Sequence, residues 1–122
     1  MTLDHVSLSV RDVASSRTFY EAALRPLGIS VLMEGTGFVG FGKDGKPQFW
    51  LNPGARSGSV HVAFAAANRA EVRAFHEAAL AAGGKDNGAP GLRPHYHANY
   101  YGAFVLDPDG NNAEAVCHLP ED

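Results

Sequence analysis

Residues 93–101, RPHYHANYY, place two histidines and three tyrosines in nine positions of a chain that holds six histidines and four tyrosines in all. Both residue types join an apolar ring to a polar tip, so a cluster of them suits a half-wet pocket wall. Three readings are open to it: a metal site, a stacking platform for a flat ligand, or ordinary loop surface. A second pair of histidines stands out by repetition. His5, in Asp4-His5-Val6, and His61, in Val60-His61-Val62, lie 61 − 5 = 56 positions apart. The same offset relates Phe19-Tyr20-Glu21-Ala22-Ala23-Leu24 to Phe75-His76-Glu77-Ala78-Ala79-Leu80, and Gly28 to Gly84. The two imidazoles therefore hold equivalent places in a duplicated frame. Pseudo-symmetry would set them facing each other across a shared cavity.

The elements that must position these groups are legible from periodicity. His5 to Val10 alternates strictly, with Val6, Leu8 and Val10 on one face and His5, Ser7 and Ser9 on the other, which predicts a strand with one polar face. Asp12 is placed to cap a helix running to about Arg25, with Phe19, Tyr20, Ala23, Leu24 and Leu27 on one stripe and Pro26 ending it. Three short strands follow, ISVLMEG, FVGFGK and PQFWLN, the last two joined by the Asp44-Gly45 turn. In the second half, Asn68 and Glu71 form a capping pair for a helix with the stripe Val72, Phe75, Ala79 and Leu80. SVHVAFA, GAFVLD and NAEAVCH read as strands, the last two joined through Asp107-Pro108-Asp109-Gly110. GGKDNGAPGLRP is rich in glycine and proline, which makes it a weak strand. Matching KDGK (43–46) to PDGN (108–111) needs an offset of 109 − 44 = 65, so the second half carries an insertion between Gly84 and Tyr101 that includes the histidine/tyrosine cluster.

Composition sets the outer bounds. A chain of 122 residues, 45% hydrophobic and 19% charged, fits one globular domain with no run long enough to cross a bilayer. The reading is one domain over residues 1–122, built of modules at 1–54 and 57–119. No export signal is evident at the N-terminus, and the lone Cys117 excludes an internal disulfide, so a cytoplasmic location is expected. Cys117 itself reads as a small buried hydrophobe. A net charge of −3 without a Lys/Arg cluster argues against nucleic acid or a membrane surface as partner.

A tandem β-α-β-β-β pair with DHVSLSV at its start, HVAFAA opening the second module and DPDGNNAEAV near the end resembles the vicinal oxygen chelate superfamily. That group includes glyoxalase I, extradiol dioxygenases, fosfomycin-resistance proteins and bleomycin-binding proteins, and the resemblance covers essentially the whole chain. It implies an α+β fold in which tandem βαβββ modules form curled mixed sheets around a cavity. It also implies a divalent metal ion held by His5, His61 and Glu114, the last lying four residues past Gly110. Two imidazoles and a carboxylate suit Fe, Mn, Co, Ni or Zn and leave positions open for substrate and water.

Glyoxalase I uses a fourth ligand on the last strand of its first module, commonly glutamate. Here that strand reads Gln48-Phe49-Trp50-Leu51. The 65-residue offset sets Phe49 opposite Glu114, and a slip of one residue would turn Gln48 or Trp50 inward instead. Gln48 could donate its amide oxygen, but a second carboxylate for double proton transfer is missing, which disfavours glyoxalase I proper. The expectation is a metal-dependent enzyme, dioxygenase-like or lyase-like, that chelates a small substrate through adjacent oxygens, with Glu114 both ligand and catalytic residue. The alternatives are non-catalytic sequestration of a small molecule, as in antibiotic resistance, and a module kept for oligomerisation. His97 and Tyr101 are expected to act at the cavity mouth, Tyr96 and Tyr100 to contact substrate, exchanging places if parity shifts, and Trp50 to form an aromatic floor. A separate metal site of His95, His97 and His118 is disfavoured because a His-x-His pair on a flexible loop is not preorganised. Short edge strands favour a homodimer.

Overall fold

The computed structural model describes residues 4–55 and 59–120 and shows two copies of one arrangement. The first runs β1 (Val6–Val10), α1 (Val13–Leu24), β2 (Ser30–Gly35), β3 (Phe38–Lys43) and β4 (Lys46–Pro53). The second runs β5 (His61–Ala65), α2 (Arg69–Ala81), β6 (Lys85–Leu92), β7 (Tyr101–Leu106) and β8 (Asn112–Cys117). Each forms a four-stranded mixed sheet, ordered β1-β4-β3-β2 or β5-β8-β7-β6. The first strand lies parallel to the last, and the other pairs are antiparallel. The fold is thus α+β, of the tandem kind expected. The expected module limits at residues 1 and 57 and the chain end at 122 lie outside the described residues.

Local chemistry accounts for the elements. Asp12 caps α1 by accepting from the backbone N–H groups of Ala14 and Ser15, and one turn of 3-10 helix containing Pro26 ends it. In α2 the Asn68 side chain accepts from Glu71 N–H at 2.9 Å, while Glu71 reaches back to the Ala67 N–H at 2.9 Å. Leu8, Val10, Phe19, Tyr20, Ala23, Leu24 and Leu27 are buried, as their spacing predicts. So are Val72, Phe75, Ala79 and Cys117. Leu80 is instead partly exposed, at the rim of the α2 stripe. Lys85–Leu92 does form a strand despite its glycines and proline, with register breaks between Asp86 and Gly88 and between Gly88 and Gly91 that absorb the irregular residues.

The copies are joined through the helix-covered sides of their sheets. Phe49 of β4 meets Phe64 of β5 edge-on, with ring centroids 5.1 Å apart. The buried Tyr20 hydroxyl donates to Asp107 Oδ2 at 2.6 Å. Asp107 also accepts from the Asp109 and Asn111 N–H groups and from the Asn111 side chain, which fixes the turn before β8. Asp109 in turn accepts from Arg11 Nε at 2.7 Å and the Arg11 N–H at 3.2 Å. The turn that sets β8 in place is therefore tied directly to the first copy.

Register decides which first-copy residue corresponds to Glu114. Val6 pairs with Phe49 and Val62 with Ala113, whereas Ser7 pairs with Trp50 and Ala63 with Glu114. The offset between β4 and β8 is 113 − 49 = 64 rather than 65, and Trp50 is the counterpart of Glu114. The cause is a bulge: Phe41 pairs with Phe49 but Gly42 with Pro47, leaving Gln48 as the extra residue. Phe49 consequently faces the core, 4% exposed.

Candidate functional site

Glu114 is the most telling polar residue in the molecule. It lies mid-strand in β8, fully buried, between Ala63 of β5 and Phe104 of β7. His61, at the start of the edge strand β5, sets Nε2 2.7 Å from Glu114 Oε1. The second carboxylate oxygen, Oε2, accepts from the Tyr100 hydroxyl. Burial, the hydrogen bond to Glu114 and the charge of that carboxylate together hold the Tyr100 phenol far above its ordinary range. Gly102 makes the Tyr100 approach feasible. A Cβ there would lie 3.1 Å from Glu114 Oε2 and 3.2 Å from the Tyr100 ring. Phe104 walls the site, its ring 6.1 Å from that of His61, and the Arg93 guanidinium covers Phe104 at 5.3 Å.

His5 is placed differently. It precedes β1, is exposed, and turns Nδ1 to Asp4 Oδ1 at 2.9 Å, while Lys46 Nζ holds Asp4 Oδ2 at 2.6 Å. Among the described residues no three His, Cys, Asp or Glu side chains gather closely enough to hold an ion. The expected trio is therefore present only as the His61–Glu114 pair with His5 apart. Both histidines nevertheless border one cavity of about 340 Å³ between the two copies, together with Gln48. The contact of His5 Nδ1 with Asp4 keeps Nε2 as the ring nitrogen away from that carboxylate, as in the carboxylate–histidine pairs of metal sites.

The opening cluster is divided by parity. Its loop is closed by Arg93 N–H donating to Tyr100 C=O at 2.7 Å and Tyr96 N–H to Arg93 C=O at 2.9 Å. Tyr100 alone of its aromatics reaches Glu114. Tyr101, expected at the cavity mouth, begins β7 on the opposite face and packs under α2, with the Arg69 guanidinium 5.1 Å from its ring and Arg73 donating to its hydroxyl at 3.3 Å. His97, also expected there, instead pairs at the surface with His118, Nε2 to Nδ1 2.7 Å, the rings stacked. Tyr96 is exposed and rests against His95 and Tyr100. Trp50 lies over Gly40, where a Cβ would meet its ring at 2.6 Å, and lines an open hollow with His5, Ser7 and Asn52 rather than the cavity shared by the histidines. Arg93, Gly102 and Phe104 were not singled out by spacing. Arg93 lies within RPHYHANYY, but its role depends on β7 register.

The profile of the Glyoxalase/Bleomycin resistance protein/Dioxygenase superfamily matches residues 2–115, and the chain belongs to that superfamily. A glyoxalase/bleomycin resistance protein from Albidiferax ferrireducens T118 superposes with a TM-score of 0.81 at 27% identity, covering 96% of this chain and 98% of that one. A glyoxalase/bleomycin resistance protein/dioxygenase family enzyme from Burkholderia phytofirmans PsJN gives 0.75 at 23% identity, covering 98% and 100%. Lactoylglutathione lyase from Agrobacterium tumefaciens gives 0.70 at 18%, covering 95% and 92%. A search of curated protein sequences finds no match. The last two likenesses concern the fold alone. Among the described residues no helix is long and apolar enough to cross a membrane.

Proposed function

We propose that the chain is a metal-dependent enzyme acting on a small molecule that presents two adjacent oxygens, with His61, Glu114 and His5 as the ligands of a divalent ion. The observation that carries this reading is the His61–Glu114 pair. Donor atoms 2.7 Å apart stand close to the separation of about 3 Å between neighbouring ligands around an ion with bonds of about 2.0–2.1 Å. A carboxylate with no exposed surface is costly to bury without a strong partner, and a cation beside His61 supplies one. The donor set suits Fe, Mn, Co, Ni or Zn. A bound ion would act as a Lewis acid toward the paired oxygens of the substrate.

The chain's own groups do the rest. The Tyr100 hydroxyl donates to Glu114 and orients it. Phe104, covered by Arg93, walls one side of His61. Trp50, in the place matching Glu114, denies the first copy a carboxylate, so two-base glyoxalase I chemistry remains disfavoured. A buried carboxylate bonded to a phenol fits lyase-like proton transfer, and oxygen consumption would mark the dioxygenase-like branch. Membership of an enzyme-rich family and retention of the His61–Glu114 pair speak for catalysis over sequestration. The test is turnover of 2-oxoaldehyde thiol adducts and catechols by the full chain, with and without a chelator. Tight binding of such compounds without turnover under any added metal would sink it.

The same reading includes a cytoplasmic homodimer. Its support is the edge strand β2, where Leu32 and Met33 stand exposed near Phe38 of β3, an apolar margin that a second copy would cover.

A further inference from the structure

The second sheet carries a fixed cation on the face that holds His61 and Glu114. Glu114 pairs with Phe104 in the next strand, and Phe104 with Gly88 in the strand beyond. Over that row lies the half-buried Arg93, its guanidinium 5.3 Å from the Phe104 ring centroid, while the His61 ring stands 6.1 Å from the same centroid. One phenyl ring thus separates the guanidinium from the imidazole. Two glycines clear the ground for it: a Cβ at Gly88 would come to 3.2 Å from Nη2, and one at Gly91 to 3.2 Å from Nη1. The Ala89 carbonyl accepts from Nη2 at 2.8 Å, the Leu92 carbonyl lies 3.5 Å from Nη1, and the Arg93 N–H donates to the Tyr100 carbonyl at 2.7 Å. All three holding groups are neutral. Among the described residues no carboxylate forms an ion pair with Arg93. A guanidinium has five N–H donors, so the fork keeps donors for a guest. Its charge is also felt within the site, where it opposes the effects of burial and of Glu114 on the Tyr100 phenol.

We propose that Arg93 is a specificity-determining residue that binds a carboxylate on the substrate, so that the molecule spans Phe104 with its adjacent oxygens at the His61–Glu114 pair and its carboxylate on the Arg93 fork. The first of these ends rests on the metal reading, and the second on the placement of Arg93 alone. A planar guanidinium offers parallel N–H groups to the two oxygens of a carboxylate, which a neutral amide or ester cannot match. A phosphate dianion is disfavoured, because a single cation leaves its second charge unanswered near the buried Glu114. Two strand spacings, about 10 Å, lie between Glu114 and Gly88. A catechol with a short carboxylate side chain covers that reach.

Isothermal titration of the full chain with dihydrocaffeate, its neutral primary amide and the analogue carrying phosphate in place of the carboxylate tests this, with bound metal counted in each preparation. The parent should bind dihydrocaffeate roughly tenfold or more tighter than the amide, the usual worth of a hydrogen-bonded charge. Added salt should narrow that gap. Arg93→Gln should weaken dihydrocaffeate to the level of the amide and leave the amide unchanged, so the amide reports on the fold of the variant. Arg93→Lys, which keeps the charge without the fork, should fall between. The proposal is overturned if the parent binds acid and amide equally or binds neither, or if the phosphate analogue binds more tightly than the acid. It is equally overturned if Arg93→Gln loses both ligands alike with its far-ultraviolet circular dichroism unchanged. Metal content separates the two readings. A parent that prefers the acid but takes up no first-row divalent ion counts against the metal reading alone, and a metal-loaded parent with no preference for the acid counts against Arg93 alone.

Discussion

At the scale of single residues, the account turns on which side of β7 and β8 a side chain occupies. Tyr100 and Tyr101 are neighbours in sequence, yet one donates to Glu114 and the other lies under α2. Sequence could name the cluster and the two alternating pairs, but parity at the end of an irregular loop is set by where the strand pairing begins, and Tyr101 pairs with Leu92 and Cys117. Tyr100→Phe should therefore leave metal content unchanged and lower turnover roughly tenfold or more, the usual cost of removing a hydrogen bond that orients a metal-binding carboxylate. His97→Ala should leave both unchanged, since its imidazole is occupied with His118 at the surface. Measuring the two variants side by side for bound metal and kcat separates these outcomes. A loss of activity in His97→Ala equal to that in Tyr100→Phe would mean that the whole loop, rather than one phenol, serves the site. Histidine equivalence was legible through the repeat. The separation of His5 from His61 and Glu114 was not, because an offset in sequence carries no information on how the copies are tilted.

At the scale of elements, capping and patterning made most of the fold readable. The alternation in β1, the Asp12 and Asn68 caps and the helix stripes all appear where the spacing put them, because each is a local consequence of 2.0 or 3.6 periodicity. Asn68→Ala should lower the stability of the chain by about 0.5–2 kcal/mol in urea unfolding, the usual value of an N-cap side chain. Pairing register was harder. The bulge at Gln48 shifts β4 by one residue and puts Trp50 where a simple turn alignment puts Phe49, a choice made by the buried Phe41–Phe49–Tyr20 ring packing rather than by local sequence. β6 shows the same limit from the other side, since pairing with β7 overrides the poor strand propensity of glycine and proline. The Tyr20–Asp107 bond is the other long-range device. Burial, then the charge and hydrogen bond of Asp107, raises the Tyr20 phenol well above its ordinary value of 10.0. The folded state thus holds that proton more tightly than the unfolded chain does. Its contribution is intact below pH 10 and is lost as pH rises beyond it. Tyr20→Phe should destabilise the protein by about 1–3 kcal/mol at neutral pH, by leaving a buried carboxylate short of a donor, and should flatten the alkaline limb of the unfolding curve. An unchanged alkaline limb would place the titrating group elsewhere.

At the scale of the whole molecule, two copies of a small motif build one core and leave an apolar, histidine-rimmed cavity between them. The exposed β2 margin leads us to expect a dimer in sedimentation equilibrium at micromolar concentration, weakened by Met33→Lys. A single-chain mass throughout that range would remove the dimer from the account. Protons compete with metal for its ligands, so bound metal should fall as pH drops and return on readjustment. The most direct test of the central claim is metal content. Untagged chain should be dialysed to equilibrium with each of the first-row divalent ions and the bound metal counted by elemental analysis, beside His61→Ala, Glu114→Gln and His5→Ala. The account predicts one ion per chain in the parent, near-complete loss in His61→Ala and Glu114→Gln, a marked weakening in His5→Ala, and unchanged far-ultraviolet circular dichroism in all. Full occupancy in His61→Ala and Glu114→Gln would contradict it.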